Sequence, residues 1–538
     1  MVRLNQLSGA VLGLASLASA ALPEQWRSRS IYQVMTDRFA VSDGSTTTNC
    51  DLFKYCGGTF QGIIKKLDYI QGMGFTAVLI SPITKNIDGN TVYGEAYHGY
   101  WPNDLYSINQ HFGSADDLKA LSKALHDRGM YLMVDVVIND MAIPTPYAVT
   151  ASNASSLDFG SLKPFNDIKY YHPYCNITNW VDAPIYQNCW FGVEIVALPD
   201  LYTEHEEVVN MIGTWIKNMV STYGIDGLRI DATKHMDDQY LAKFTANAGV
   251  FTMGEVYNEE VPIVCHYEGL VSGLLNFPIY YGMLQGFTNG NMKYLENSRK
   301  NVAQGCHNVT NMGAFAENHD LPRIASLVPD EQLAANIIAY QIVGDGIPQM
   351  YQGQEQHATG NYSPYNRAAL WTTGYHTDAP LYKLTGTLNN LRNHAISIDN
   401  RYVTSLSSQL YIDQSTIALR KGPDGVQIVS VLSNQGNNMK DYTLVIPGAF
   451  TEGQQAIEVT TCQKITATAG GNITVSMSKG EPRVFFPVFN MNNSGLCGYP
   501  KTAATNTTSP KKSSAEHVQS NMLSVALAGV LGLSLWLL

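Results

Sequence analysis

Residues 227–231 read Gly-Leu-Arg-Ile-Asp, a short apolar run that closes with a cation and a carboxylate two positions apart. Alternate side chains of an extended strand share a face, so Arg229 and Asp231 point the same way. Seven other runs are built alike: Ile31 to Thr36, Thr76 to Ser81, Tyr131 to Asn139, Phe251 to Glu255, Gly273 to Asn276, Ala314 to Asn318 and Ile347 to Tyr351. Amphipathic stretches lie between them. One of these, Ser114 to His126, opens with Ser114-x-x-Asp117, a capping-box pattern. Eight apolar runs alternating with helices match an α/β fold, a (β/α)8 TIM barrel, whose functional groups gather at the C-terminal ends of the strands.

The alternation breaks in two places. From residue 141 to 198 the helix pattern gives way to aromatic, Pro and Cys residues, which predicts a domain inserted after strand 3. Beyond residue 400 the segments are short and β-like with frequent Gly and Asn, as in Val426 to Leu432, which predicts a C-terminal antiparallel β-domain over 401–498. The barrel is then expected over 21–140 and 199–400.

The first 20 residues have a basic start, an apolar middle and a small-residue end at Ala18-Ser19-Ala20, the pattern of a secretory signal. Residues 499–521 form a Ser/Thr-rich linker, and the uncharged stretch 522–538 comes after it. Together they resemble a GPI-anchor signal with Ser513 or Ser514 as the attachment site, the alternative being a short transmembrane helix. Eight cysteines in a chain with a secretion signal argue for disulfides. Sequons at Asn153, Asn176, Asn308, Asn361, Asn472, Asn492 and Asn506 fit the same compartment. A net charge of −11 without a large basic cluster argues against nucleic acid. A neutral polymer suits this surface better, and the expected unit is a monomer held at the membrane or cell wall.

Three strand ends carry the candidate chemistry: Asp231, Glu255 after Met253-Gly254, and Asp320 in Glu317-Asn318-His319-Asp320. One acid at a strand end is ordinarily a helix cap or a loop ion pair. Three on converging strands suggest glycosidic bond cleavage with retention, which needs a nucleophilic carboxylate and a protonated carboxyl about 5–5.5 Å away. Arg229 beside Asp231 would keep the nucleophile ionised, and burial would keep the second acid protonated.

The chain up to about residue 498 resembles the fungal secreted α-amylases of the α-amylase family of glycoside hydrolases. The resemblance lies in Thr36-Asp37-Arg38-Phe39, Tyr97-His98-Gly99-Tyr100-Trp101, Gly129 to Val137, Gly227 to His235, Gly254-Glu255-Val256, Glu317 to Asp320 and Gly353 to His357. It implies α-1,4-glucan or maltooligosaccharides as substrate, Asp231 as nucleophile, Glu255 as acid/base and Asp320 as transition-state stabiliser. By the same resemblance Arg229, His319, Arg367, His98 and Tyr100 surround the sugar at the cleavage point, with Trp101 beside them, and Lys234 and His235 lie on the far side. The lesser alternative for Tyr100 and Trp101 is simple core packing. The implied disulfides are Cys50–Cys56, Cys175–Cys189, Cys265–Cys306 and Cys462–Cys497.

The resemblance also implies calcium, held by Asn139, Gln187, Asp200 and the backbone carbonyl of His235. Two positions depart from the family pattern: Asp140 stands where relatives carry His, and Gln187 where they carry an acid. The expected consequences are a weaker calcium site and slower hydrolysis, because a carboxylate at 140 cannot donate a hydrogen bond as imidazole does. The chain thus resembles GPI-anchored α-amylase-like 4-α-glucanotransferases that act on cell-wall α-glucan. The competing expectations are an endo-acting α-amylase and an inactive amylase-like binding scaffold.

Overall fold

A computed structural model describes residues 23–501. The signal at the start, the 506 sequon and the anchor segment with Ser513 and Ser514 lie outside the described residues.

All eight apolar runs contribute to one parallel sheet: β1 (Ile31–Val34), β2 (Ala77–Ile80), β3 (Tyr131–Val136), β4 (Gly227–Ile230), β5 (Phe251–Gly254), β6 (Gly273–Leu274), β7 (Gly313–Ala314) and β8 (Ile347–Tyr351). Their order around the sheet is β6-β5-β4-β3-β2-β1-β8-β7. A parallel bridge from Leu275 to Gly313 joins β6 to β7 and closes the barrel. The strands are buried along their length because helices cover the outside. This is why they read as continuous apolar runs rather than alternating ones. Strands β6 and β7 are shorter than their runs, and past Leu274 the pairing goes on as single contacts, Leu275 N to the Gly254 carbonyl and Asn276 N to the Gly313 carbonyl, each 3.0 Å.

Local chemistry explains the helix starts. Ser114 caps the helix Ala115–His126: its hydroxyl accepts from the Asp117 amide while the Asp117 carboxylate accepts from the Ser114 amide, the reciprocal pair of a capping box. The barrel floor is plugged by Trp26, fully buried and stacked on Phe251 at 5.3 Å. A Cβ at Gly227 would lie 2.6 Å from this indole, so glycine is required where β4 begins.

After β3 the chain makes a long excursion of 3-10 turns, with a small antiparallel sheet of Ile143–Pro144, Val196–Leu198 and Gly192–Val193. Beyond the barrel, eight strands lie between Ser408 and Pro487, six in one antiparallel sheet and two in a ribbon, Tyr442–Ile446 with Ile473–Met477. The central strand Ile428–Ser433 is buried on both faces. Ile428 and Leu432 join the barrel core, whereas Val429 and Val431 join a separate core. Ser433 N donates to Asn336 Oδ1 at 2.9 Å, tying this sheet to the barrel helix Glu331–Val343.

Disulfides join Cys50 to Cys56, Cys175 to Cys189, Cys265 to Cys306 and Cys462 to Cys497. The sequon residues Asn176, Asn308, Asn361 and Asn492 are exposed, and Asn153 and Asn472 half-buried. No described helix is long and apolar enough to cross a membrane.

Candidate active site

Register places the three acids. Arg229 on β4 pairs with Asp135 on β3 and with Met253 on β5, so Asp231 and Glu255, two positions further along each strand, emerge side by side at the barrel mouth. Arg229 is almost fully buried and joins three carboxyls. Its Nη1 reaches Asp231 Oδ1 at 2.8 Å and Asp135 Oδ2 at 2.8 Å, and its Nη2 forms an ion pair with Glu255 Oε1 at 2.6 Å. Ala232, next to Asp231, has a left-handed backbone with φ of 51°, a conformation that costs a non-glycine residue energy and is held here by its surroundings. It turns the Ala232 amide toward Glu255 Oε2, 3.4 Å away.

Burial raises the Asp231 pKa to about 6, Asp135 and Asp320 adding to the effect and Arg229 opposing it. Burial also raises Glu255, to about 7, with Arg229 opposing and Asp231 and Asp320 adding. Asp320 behaves oppositely. Burial works against its charge, but His319 Nε2 at 3.0 Å and Arg367 Nη2 at 2.9 Å hold it well below the usual carboxylate range.

The remaining groups named from the sequence converge on the same cleft. Tyr100 lies parallel to His319, ring centroids 4.9 Å apart, and its hydroxyl donates to Asp135 Oδ2 at 2.6 Å. His98 Nδ1 accepts from the Tyr100 amide, and burial pulls the His98 pKa well below its ordinary value. Trp101 packs edge-on to His98 and also against the small core of Ile87, Ala96, Ala142 and Val196, so it both lines the cleft and packs. Arg367 Nε donates to the His319 carbonyl at 2.8 Å. These residues, with Asp140 and Asp231, enclose one half of the cleft, about 320 Å³.

The other half, about 270 Å³, begins at Asp231 and Glu255 and is walled by Lys234, His235, Trp180, Phe191 and Tyr257. Lys234 Nζ is 3.4 Å from the Tyr257 carbonyl. The His235 ring packs 4.2 Å from Phe191, and burial lowers its pKa to about 3, so it is neutral.

Five site residues went unnoticed in the sequence. Asp135 had a signal, a carboxylate inside the apolar run Tyr131–Val136. Gln33, whose amide nitrogen lies 3.2 Å from His319 Nδ1, had the same signal on β1. Trp180, Phe191 and Tyr257 had none, because they reach the cleft from loops that only the fold brings together.

Of the calcium ligands named from the sequence, Asn139 and Asp200 are in contact, and Gln187 lies beside the His235 segment. Asn139 Nδ2 donates to Asp200 Oδ1 at 3.0 Å and, more weakly, to Asp140 Oδ2 at 3.4 Å. Asp200 Oδ2 pairs with His172 Nδ1 at 2.7 Å. Gln187 Nε2 donates to the carbonyls on either side of His235, those of Lys234 at 3.4 Å and Met236 at 3.1 Å. Asn139 Oδ1 and Asp140 Oδ1 are buried without a partner. Orphaned oxygens beside the Asp200 carboxylate are ligand atoms of the kind that a hard cation such as calcium prefers. Asn139, Gln187, Asp200 and the His235 carbonyl are the residues that would hold it.

Asp140, the acid that stands where relatives carry His, is buried and lines the cleft. Burial first, then Asp231 and Asp200, raises its pKa well above the carboxylate range.

Residues 33–379 match the family described as alpha amylase, catalytic domain, and residues 409–505 match alpha-amylase, domain C. Over 486 residues the chain is 44% identical to Alpha-amylase 2 of Schwanniomyces occidentalis, covering 90% of this chain and 94% of that one. An alpha-amylase structure from Malbranchea cinnamomea superposes with a TM-score of 0.85 at 46% identity, covering 89% of this chain and all of that one. CldA, a cyclomaltodextrin glucanotransferase, shares the fold with a TM-score of 0.73 at 22% identity, covering 85% of this chain and 98% of that one.

Proposed function

This chain belongs to the alpha-amylase family of glycoside hydrolases, and on that premise we propose that it cleaves α-1,4-glucan by double displacement and passes the glycosyl group mainly to another glucan. Asp231 attacks the anomeric carbon while Glu255 protonates the leaving oxygen, giving a glycosyl-enzyme on Asp231. Glu255, now ionised, takes the proton from the incoming hydroxyl, and the acceptor oxygen displaces Asp231. Asp320, kept ionised by His319 and Arg367, faces the positive charge that develops on the sugar ring. Tyr100 offers that ring an aromatic face. Calcium, when bound by Asn139, Asp200 and the His235 carbonyl, would brace the loop that carries Lys234.

The observation that carries the transfer reading is the two-sided cleft. Beyond Asp231 and Glu255 it continues into a half walled by Trp180, Phe191 and Tyr257. Aromatic walls hold a sugar acceptor and displace water from the glycosyl-enzyme. Asp140 on the opposite side gives the donor sugar an acid where imidazole is usual in the family. The apolar tail 522–538 supports retention at the cell surface by a lipid anchor, where an enzyme that remodels wall glucan has its substrate.

The second reading is an endo-acting alpha-amylase, favoured by the description of the Schwanniomyces and Malbranchea relatives as alpha-amylases. Incubation of the secreted protein with maltoheptaose, followed by chromatography, separates the two. Transfer gives longer and shorter oligosaccharides together. Shorter products alone would establish hydrolysis, and no products would favour a binding scaffold.

A further inference from the structure

The barrel carries a second groove, away from the acids. It lies between the strand Pro102–Ile108 and the helix Glu206–Tyr223, and its volume, about 320 Å³, equals that of the donor half of the cleft. The floor is apolar: Leu105, Ile108, Trp215 and Met219, with the Trp215 indole pinned by a 2.7 Å hydrogen bond to the Leu105 carbonyl. Tyr106 at the rim is 61% exposed, and Tyr223 stands half-buried on the helix side. The rim also offers Asn218 and Thr222, both exposed. Among the described residues no hydrogen bond from either phenol, the Asn218 amide or the Thr222 hydroxyl is seen, so these groups are available to a ligand.

The lining has no charged residue, in a chain with 34 basic and 45 acidic ones. An apolar floor under a rim of neutral donors and acceptors matches a sugar ring, which presents C–H faces and hydroxyl edges. It does not match an ion, a phosphate or a charged peptide. The same strand that leaves the cleft wall after Trp101 passes the groove at Tyr106, five residues on, or about 17 Å at the rise of an extended chain. A polymer engaged in the cleft is therefore available within a few sugar units of the groove.

We propose that this groove is a second α-glucan-binding site, which holds polymeric substrate beside the cleft without taking part in bond cleavage. The proposal rests on the α-glucan reading above. Its test uses two backgrounds. In Asp231→Asn, which binds without turnover, the migration of the protein through a gel containing soluble amylose is compared with and without Tyr106→Ala plus Tyr223→Ala. The groove variant is expected to lose about three- to tenfold in affinity for the polymer, the range of one or two aromatic contacts. In the otherwise unchanged enzyme the same pair should leave turnover of maltotetraose within about twofold, since a short substrate does not reach the groove. Thr222→Glu, an exposed rim change that leaves the floor intact, should weaken retention likewise and guards against misfolding of the double variant. Unchanged retention in both variants overturns the proposal. So does a concentration-dependent dimer that the same substitutions dissolve, because the groove is then a contact between two copies of this chain. Failure of the α-glucan reading shows itself separately, as no turnover of maltotetraose by the unmutated enzyme.

Discussion

Two clusters of buried acids lie a few residues apart and are built on opposite terms. At the barrel mouth Asp135, Asp231 and Glu255 share one guanidinium, and Asp320 has His319 and Arg367. Behind it Asp140 and Asp200 share only the amide of Asn139 and the ring of His172, and two oxygens are left without partners. Burial of a carboxylate is costly unless it is paired. The first cluster meets that cost with fixed cations, so its protonation pattern is set by the chain itself. In the second, burial opposes the charge on His172 but Asp200 and Glu204 raise its pKa to about 9, so the ring can serve Asp200 as a cation, while Asp140 has only acids and the Asn139 amide beside it. In the proposed reaction the first cluster governs whether a glycosidic bond breaks, and the second tunes how the glycosyl-enzyme is resolved.

The contrast can be broken at either end. Glu255→Gln removes the transferable proton and should lower kcat by about 10²–10⁴-fold on maltooligosaccharides while leaving KM within a few-fold. A comparable loss in kcat from Asp140→Asn would put the chemistry in the wrong cluster. The pH profile gives the next largest effect. Activity needs Asp231 ionised and Glu255 protonated, so the rate should be highest between about 6 and about 7, the values to which burial raises the two. On the acid side it should fall as Asp231 gains its proton, and on the alkaline side as Glu255 loses its own, about tenfold per unit.

Asp140→His replaces the acid of the second cluster that also lines the cleft. It should raise hydrolysis relative to transfer several-fold, read as the ratio of glucose equivalents released to longer oligosaccharides formed. An unchanged ratio would remove position 140 from the account. The smallest effect is on stability. Calcium at a hundred times its dissociation constant adds about 2.7 kcal/mol, so chelation should lower Tm by a few degrees. Asn139→Ala should abolish that difference if the orphaned oxygen is a ligand.

The sequence showed the barrel because strands covered on both faces must be apolar throughout, and it showed the acids because each closes such a run. Arg229 and Asp231 were legible as a pair from alternation alone. Asp135 and Gln33 were overlooked because a polar residue inside a run reads as an interruption, yet register places Asp135 opposite Arg229. The aromatic wall was not legible at all. Trp180 and Phe191 come from the inserted segment and Tyr257 from the loop after β5, and nothing in their spacing links them. The upward push on the Asp140 pKa was not legible either, since it arises from burial and from the neighbouring Asp231 and Asp200 rather than from residue type.

The central claim is a covalent step on Asp231 in a retaining mechanism. Glu255→Gln, which can form a glycosyl-enzyme from an activated donor but cannot resolve it well, should be incubated with α-maltotriosyl fluoride, digested and analysed by mass spectrometry. A maltotriosyl adduct on the peptide that contains Asp231 is the predicted result. An unlabelled protein that releases β-configured product, or an adduct on a different carboxylate, would contradict it.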